Sequence, residues 1–206
     1  MAGPPASGKS TFAEALAAHL STQGRPARVV PMDGFHLDDR VLRARDLLPR
    51  KGAPETFDAA GFARLVAAMG QGGEVIHPVF DREREIAIAG AGVVPASCDL
   101  VVAEGNYLLL GEPAWRGLAA HWSLTVFLHV PEAELRRRLL ARWRGHGMDE
   151  AAAREKAEGN DIPNGLRVVR GSRGADIMLG GDIGGWIGGD RSAGDTIRLD
   201  IPSHRD

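Results

Sequence analysis

The sequence has a single cysteine, Cys98, so no disulfide can form within the chain. It has no apolar run near the roughly 18 residues that a membrane-spanning helix needs. No charged segment followed by an apolar stretch opens it, so a secretory leader is not read there. These absences make the cytoplasm the expected location, with no membrane partner. An excess of one charge is lacking too: 25 Lys and Arg stand against 27 Asp and Glu, for a formal net charge of -2. No basic block stands clear of acids, so no nucleic-acid groove is indicated. Lysine is scarce, with only Lys9, Lys51 and Lys156. What is present is ordinary for a globular chain, 44% hydrophobic and 25% charged, and 206 residues suffice for one sizeable domain.

Helix and strand signals alternate along the chain. Phe12, Leu16 and Leu20 recur every four residues, which predicts an amphipathic helix over 10–20. A short apolar strand is expected over 27–32, ending at Asp33-Gly34. Helices are expected over 38–48, stopped by Pro49, and over 58–69, capped by Asp58 and closed by Gly70. Residues 74–80 and 85–89 read as a hairpin. "DLVVA" at 99–103 is a strongly apolar strand, 115–121 a short helix, and 124–130 a second buried strand. An arginine-rich helix over 132–144 and a helix over 149–158 follow. The alternation predicts an α/β fold, a mostly parallel sheet with helices on both faces.

Residues 3–10 spell G-x-x-x-x-G-K-S. Glycines let successive N–H groups turn inward, and a helix beginning near Lys9 adds its positive dipole end. Lys9 brings a full charge to the β- and γ-phosphates of a nucleotide, and the Ser10 hydroxyl can ligate Mg²⁺. Lys51 lies in "RKGA" and Lys156 in "EKAE"; neither supplies the N-K-x-D reader of a GTPase, and no L-S-G-G signature of transport ATPases occurs.

Three further stretches accompany the loop: "MDGFHLDD" at 32–39, "RKGAPETFD" at 50–58 and "VVAEGNYLLL" at 101–110. Together the four resemble the uridine kinase and bacterial pantothenate kinase group of P-loop kinases, most closely its nucleoside-kinase-like members and those associated with fructose transport. The resemblance runs from about Gly3 to Asp176. It implies a three-layer α/β/α P-loop NTPase fold, ATP and Mg²⁺, and transfer of a phosphoryl group to a hydroxyl of a nucleoside, a sugar or a pantothenate-like metabolite. On the matching positions, phosphate binding falls to Gly3, Pro4, Pro5, Ala6, Ser7, Gly8, Lys9, Ser10 and Thr11, and Mg²⁺ to Ser10 and Glu104. Asp33 either faces the acceptor hydroxyl or caps its turn. Arg138 and Arg142, four apart on one helix, either close over the phosphates or pair with Glu132 and Glu134 on a solvated face. Asp33, His36, His77, Asp81, Arg82, Tyr107 and Asn160 fall in segments that contact the acceptor. Lys51 could equally be a surface charge.

The resemblance places the kinase domain at 1–178, with an acceptor-pocket insertion about 74–92 and a lid about 136–150, and leaves a glycine-rich tail at 179–206. In such a fold the strand before the phosphate loop is central, yet only Met1 and Ala2 precede the loop. Losing about five buried aliphatic side chains would forfeit about 7–15 kcal/mol. The first core strand therefore reads as missing, and the natural chain is expected to begin upstream. "TIRLDI" at 196–201 alternates as an edge strand does and is not expected to fill the gap. A nucleotide-binding module without turnover, such as an inert kinase fragment, stays open as the alternative. So do the acceptor's identity, ATP against GTP, and pairing of the chain into a homodimer.

Overall fold

A computed structural model of the chain describes residues 1–180; the strand expected at 196–201 lies outside the described residues. The phosphate loop runs straight into α1 (Lys9–Thr22), followed by β1 (Ala27–Pro31) and a 3₁₀ turn, Met32–Phe35. The Asp38 carboxylate accepts from the Arg40 amide and starts α2 (Asp39–Ala44). Asp58 does the same for the Gly61 amide at the head of α3 (Ala59–Met69), which Gly70 ends. Then come β2 (Val75–Asp81), β3 (Ile86–Val94), β4 (Leu100–Glu104), a 3₁₀ stretch Arg116–His121, and β5 (Val126–Leu128). The order closes with α4 (Glu132–Gly145), α5 (Glu150–Lys156), a π-helical turn Ala157–Asp161, α6 (Ile162–Gly171) and β6 (Ile177–Leu179).

Several boundaries differ from the sequence expectation. The helix expected over 38–48 stops at Ala44, because Asp46 adopts a left-handed φ of 56° and a separate 3₁₀ turn, Leu48–Arg50, follows. The helix over 149–158 does not end there. It widens into the π turn and continues as α6 across Pro163, whose missing N–H falls in the first turn of α6. Strand β3 runs on to Val94, and β6 had no period long enough to be read.

β1 and β4 pair in parallel from Ala27↔Leu100 to Pro31↔Glu104, and β5 and β6 pair in parallel from Val126↔Ile177 to Leu128↔Leu179. Met1 and Ala2 stand between these pairs. The Ala2 amide donates to the Val126 carbonyl (2.8 Å) and its carbonyl accepts from Leu128 (2.8 Å). On the other side the Met1 carbonyl accepts from Gly105 (3.2 Å), and the Met1 ammonium donates to the Ala103 carbonyl (2.7 Å). The parallel sheet thus reads β1–β4–(Met1–Ala2)–β5–β6, and the two residues ahead of the loop themselves occupy the central position. β2 and β3 form a separate antiparallel hairpin.

Neighbouring residues of β4 serve opposite faces, as strand geometry requires. Val102 packs with Ala13 and Ala17 of α1. Ala103 joins Phe62 and Val66 of α3, Val168 of α6, Tyr107, Leu110 and Trp115. These are the three α/β/α layers. Among the described residues no helix is long and apolar enough to cross a membrane.

Candidate active site

The phosphate loop leaves the centre of the sheet at Gly3, where a Cβ would stand 2.7 Å from the Leu128 carbonyl oxygen, so only glycine fits against β5. The Ser7 amide closes a turn onto the Pro4 carbonyl (3.2 Å), with Ala6 at φ 60° and Gly8 at φ 87°. Left-handed residues within such a loop turn successive amides toward a common centre, a concavity suited to anions. Gly8 is the N-cap of α1 and has no side chain to cap it, so the first amides of the helix remain available to a ligand.

Beside the loop, Ser10 Oγ donates to Glu104 Oε1 (3.1 Å). Glu104 is buried at the end of β4; burial pushes its carboxyl above the ordinary range, and the Lys9 charge pulls it back. Burial likewise lowers Lys9, against the opposing pull of Glu104 and then Asp33. The ammonium thus sits where its charge is poorly solvated and an anionic ligand would restore it.

A cavity of about 290 Å³ opens from this point. Pro5, Ala6, Gly8, Lys9, Ser10 and Thr11 line it, while Gly3, Pro4 and Ser7 are buried beneath. Asp33, His36, Arg82 and Arg142 also reach the cavity. Asp33 Oδ2 accepts from Arg82 Nη2 (2.7 Å). His36 is held between the rings of Phe57 and Phe80, at centroid distances of 4.1 and 4.4 Å, and its Nδ1–H donates to the Asp33 carbonyl (2.8 Å). Burial keeps its imidazole below the ordinary value.

Other anticipated residues stand outside the lining. His77 is buried in the hairpin, donates to the Pro78 carbonyl (3.0 Å), and fills the space over Gly92, where a Cβ would meet its ring at 2.2 Å. Tyr107 is buried in the core and donates to the Gly52 carbonyl. Asn160 donates to the Lys51 carbonyl (2.8 Å) and accepts from Asn164 (3.1 Å). Asp81 accepts from the Glu83 and Arg84 amides and shapes the hairpin turn. Arg138 is bound to Glu134 (2.7 Å), with Nη1 3.4 Å from the Ala6 carbonyl of the loop.

Sequence reasoning left Lys51 open as a surface charge and did not single out other lining residues. Lys51 is largely buried: its ammonium donates to Asp39 Oδ1 and to the Glu85 carbonyl, each at 2.9 Å, tying α2 to the hairpin turn. Trp143 Nε1 donates to Asp161 Oδ2 (2.6 Å) beside the loop, with Arg142 and Lys156 each near its ring face, at 5.7 and 5.6 Å. "RKGAPETFD" had pointed to the segment that holds Lys51; nothing in the sequence pointed to Trp143 or Asp161.

No family model matches the chain. A solved structure described as a "putative fructose transport system kinase" from Silicibacter sp. TM1040 shares 52% identity, covers 87% of each chain and superposes with a TM-score of 0.85. "Uncharacterized protein YggC" of Escherichia coli K12 is 36% identical over 87% of this chain and 75% of its own length. A "putative uridine kinase" of Schizosaccharomyces pombe is 31% identical over 87% of this chain and 80% of its own. Pantothenate kinases match as well; that of Sorangium cellulosum is 33% identical, and the match spans 48% of its length. The chain belongs to the uridine kinase and pantothenate kinase group of P-loop kinases. Within that family's frame the cavity has two sets of walls. One is the phosphate loop with Arg142, Trp143 and Asp161. The other is Asp33, His36, Phe57, Phe80 and the hairpin turn.

Proposed function

We propose that the chain transfers the γ-phosphoryl group of ATP to a hydroxyl of a small metabolite, with Mg²⁺ bound at Ser10 and Glu104. The observation that carries this reading is the placement of Asp33 in the same cavity as Lys9 and Ser10, whose hydroxyl is bonded to the buried Glu104. Two oxygen donors side by side beneath a phosphate loop suit a hard cation that takes its other ligands from phosphate and water. Bound there, the cation would neutralise phosphate charge. The loop amides and Lys9 hold the β- and γ-phosphates. Arg142, one turn along from Arg138 on α4, adds positive charge at the cavity wall. Asp33 takes the proton of the acceptor hydroxyl as its oxygen bonds to the γ-phosphorus and the bond to the β-phosphate oxygen breaks, leaving ADP. The acceptor is a nucleoside, a sugar or a pantothenate-like alcohol, and the reaction belongs in the cytoplasm. The aromatic wall of Phe57, His36 and Phe80 supports a ligand with a flat or apolar face.

The test is an acceptor screen with γ-labelled ATP, run beside calorimetry of Mg·ATP binding. Labelled product is expected from one acceptor class. Asp33→Asn should lower turnover about 10²–10⁴-fold, the usual worth of a positioned base, with Mg·ATP affinity unchanged. Mg·ATP binding with no product from any acceptor would make the chain a nucleotide-binding module. Near-normal turnover in Asp33→Asn would remove Asp33 from the chemistry.

A further inference from the structure

A second pocket, of about 250 Å³, opens at the other end of the sheet. Thr125 and Asp176 on its rim directly precede β5 and β6, whereas the phosphate loop follows the central strand position at its far end. The two cavities share no lining residue.

The pocket's floor is apolar: Leu109, Trp115 and the half-buried Trp122. Its rim carries two exposed guanidiniums, Arg116 and Arg173, and among the described residues neither side chain forms an ion pair or hydrogen bond. Of the nearby acids, Glu112 is neutralised by an arginine, while Asp176 keeps its charge on the rim and is held by Thr125. Glu112 is gripped by Arg167 through two bonds of 2.6 and 2.7 Å. Asp176 accepts from the Thr125 amide (2.7 Å) and hydroxyl (2.6 Å). Within the wall, the Trp115 Nε1–H is buried with no acceptor. Two guanidiniums against the single Asp176 carboxylate leave the rim net positive, which disfavours a cation, and a neutral apolar molecule would leave both guanidiniums unused. Guanidinium pairs bind carboxylates through charge-assisted hydrogen bonds, and a concave apolar floor with a few polar groups is the usual form of a small-molecule site.

We infer that this pocket is a second ligand site, which takes a small organic acid with a flat apolar body. The body rests on Leu109, Trp115 and Trp122, and the carboxylate lies between Arg116 and Arg173. The site is independent of phosphoryl transfer and of its acceptor.

Calorimetry of the full chain with 1-naphthoate tests this, in the presence of saturating Mg·ATP so that the nucleotide side of the catalytic cavity is filled; the Arg116, Arg173 and Ala119 variants separate this pocket from the acceptor side. A single saturable site is expected. The uncharged isostere 1-naphthamide should bind at least tenfold more weakly. Arg116→Gln with Arg173→Gln should weaken 1-naphthoate at least tenfold without moving the melting temperature, because both side chains are exposed and, among the described residues, unpaired. Ala119→Trp, which fills the pocket and leaves its charge alone, should abolish the heat. Equal affinity for the amide, or unchanged binding in either variant, would overturn the assignment. Competition with Mg·ATP would do so too, by moving the acid to the catalytic cavity. Capture of the chain by phosphatidylglycerol vesicles, with no response to the free acid, would replace the pocket with a lipid-facing surface.

Discussion

His36 is the residue whose burial has a direct consequence for stability. Packed between Phe57 and Phe80, its imidazole is held below the ordinary value by burial, with the Asp33 charge opposing. The unfolded chain takes up a proton as pH falls through about 6.5, while the folded chain resists until lower pH. The contribution of His36 is therefore fully present above that range and is lost as pH falls, with a slope of at most about 1.4 kcal/mol per pH unit. Urea denaturation at pH 7.5 and 5.5 should show the wild type losing more stability on acidification than His36→Gln, whose curve starts lower but runs flatter. Parallel losses would show that His36 titrates as freely as in the unfolded chain. The contrast with His77 shows what a single residue discloses in the sequence. Lys9 and Ser10 were legible because their motif prescribes a backbone path, and Glu104 because it ends an apolar strand. His36 and His77 carry no such mark. Only the pairing of β2 with β3, which sets His77 opposite Gly92, turns one into the hairpin while the other lines the cavity.

At the scale of elements, the cavity wall at Lys51-Gly52 is built by side chains from far along the chain. Asn160, on the π turn, donates to the Lys51 carbonyl, and Tyr107 donates to that of Gly52. Gly52 itself has φ 98°, a conformation that disfavours any other residue. A π turn carries one extra residue per turn, so it shifts the face on which its side chains fall. Here it sets Asn160 against Lys51 and Asp161 against Trp143. Nothing in the sequence signalled this, since a widened turn has no hydrophobic period of its own. The helix ends with a side-chain cap, at Asp38, Asp58 and Asp149, were far easier to place. Asn160→Ala leaves the Lys51 carbonyl and the Asn164 amide short of a partner. A buried group left so costs about 1–3 kcal/mol, and each kcal/mol lowers the melting temperature of a chain this size by about 2–4 °C. The affinity for Mg·ATP should stay within about twofold, because Asn160 does not line the cavity. A thermal melt beside calorimetry separates the two effects, and an unchanged melting temperature would show that Asn160 does not hold the wall in place.

For the molecule as a whole, alternation of strands and helices disclosed the layers but not the order of the sheet. Two residues cannot show a period, so Met1 and Ala2 could not be recognised as strand, although their hydrogen bonds to Gly105, Val126 and Leu128 join the two halves. The phosphate loop is thereby anchored on both sides of the sheet's centre, and whatever binds the loop is coupled to the stability of the fold. The coupling has a definite sign. Burial displaces Lys9 and Glu104 from their ordinary ionisation, Lys9 downward and Glu104 upward, so each is held at some expense to the fold. On the proposed function, a triphosphate with its magnesium would supply the missing counter-charges and would bind only the folded chain. At about 100 times its dissociation constant such a ligand adds about 2.7 kcal/mol, which for this length corresponds to a rise of about 5–10 °C in melting temperature. Scanning calorimetry should show that rise for the wild type with Mg·ATP. Lys9→Ala should lose most of it, while its own melt without nucleotide remains cooperative. A rise of equal size in Lys9→Ala would mean that the nucleotide is held elsewhere, and the cavity beneath the loop would lose its claim to the chemistry.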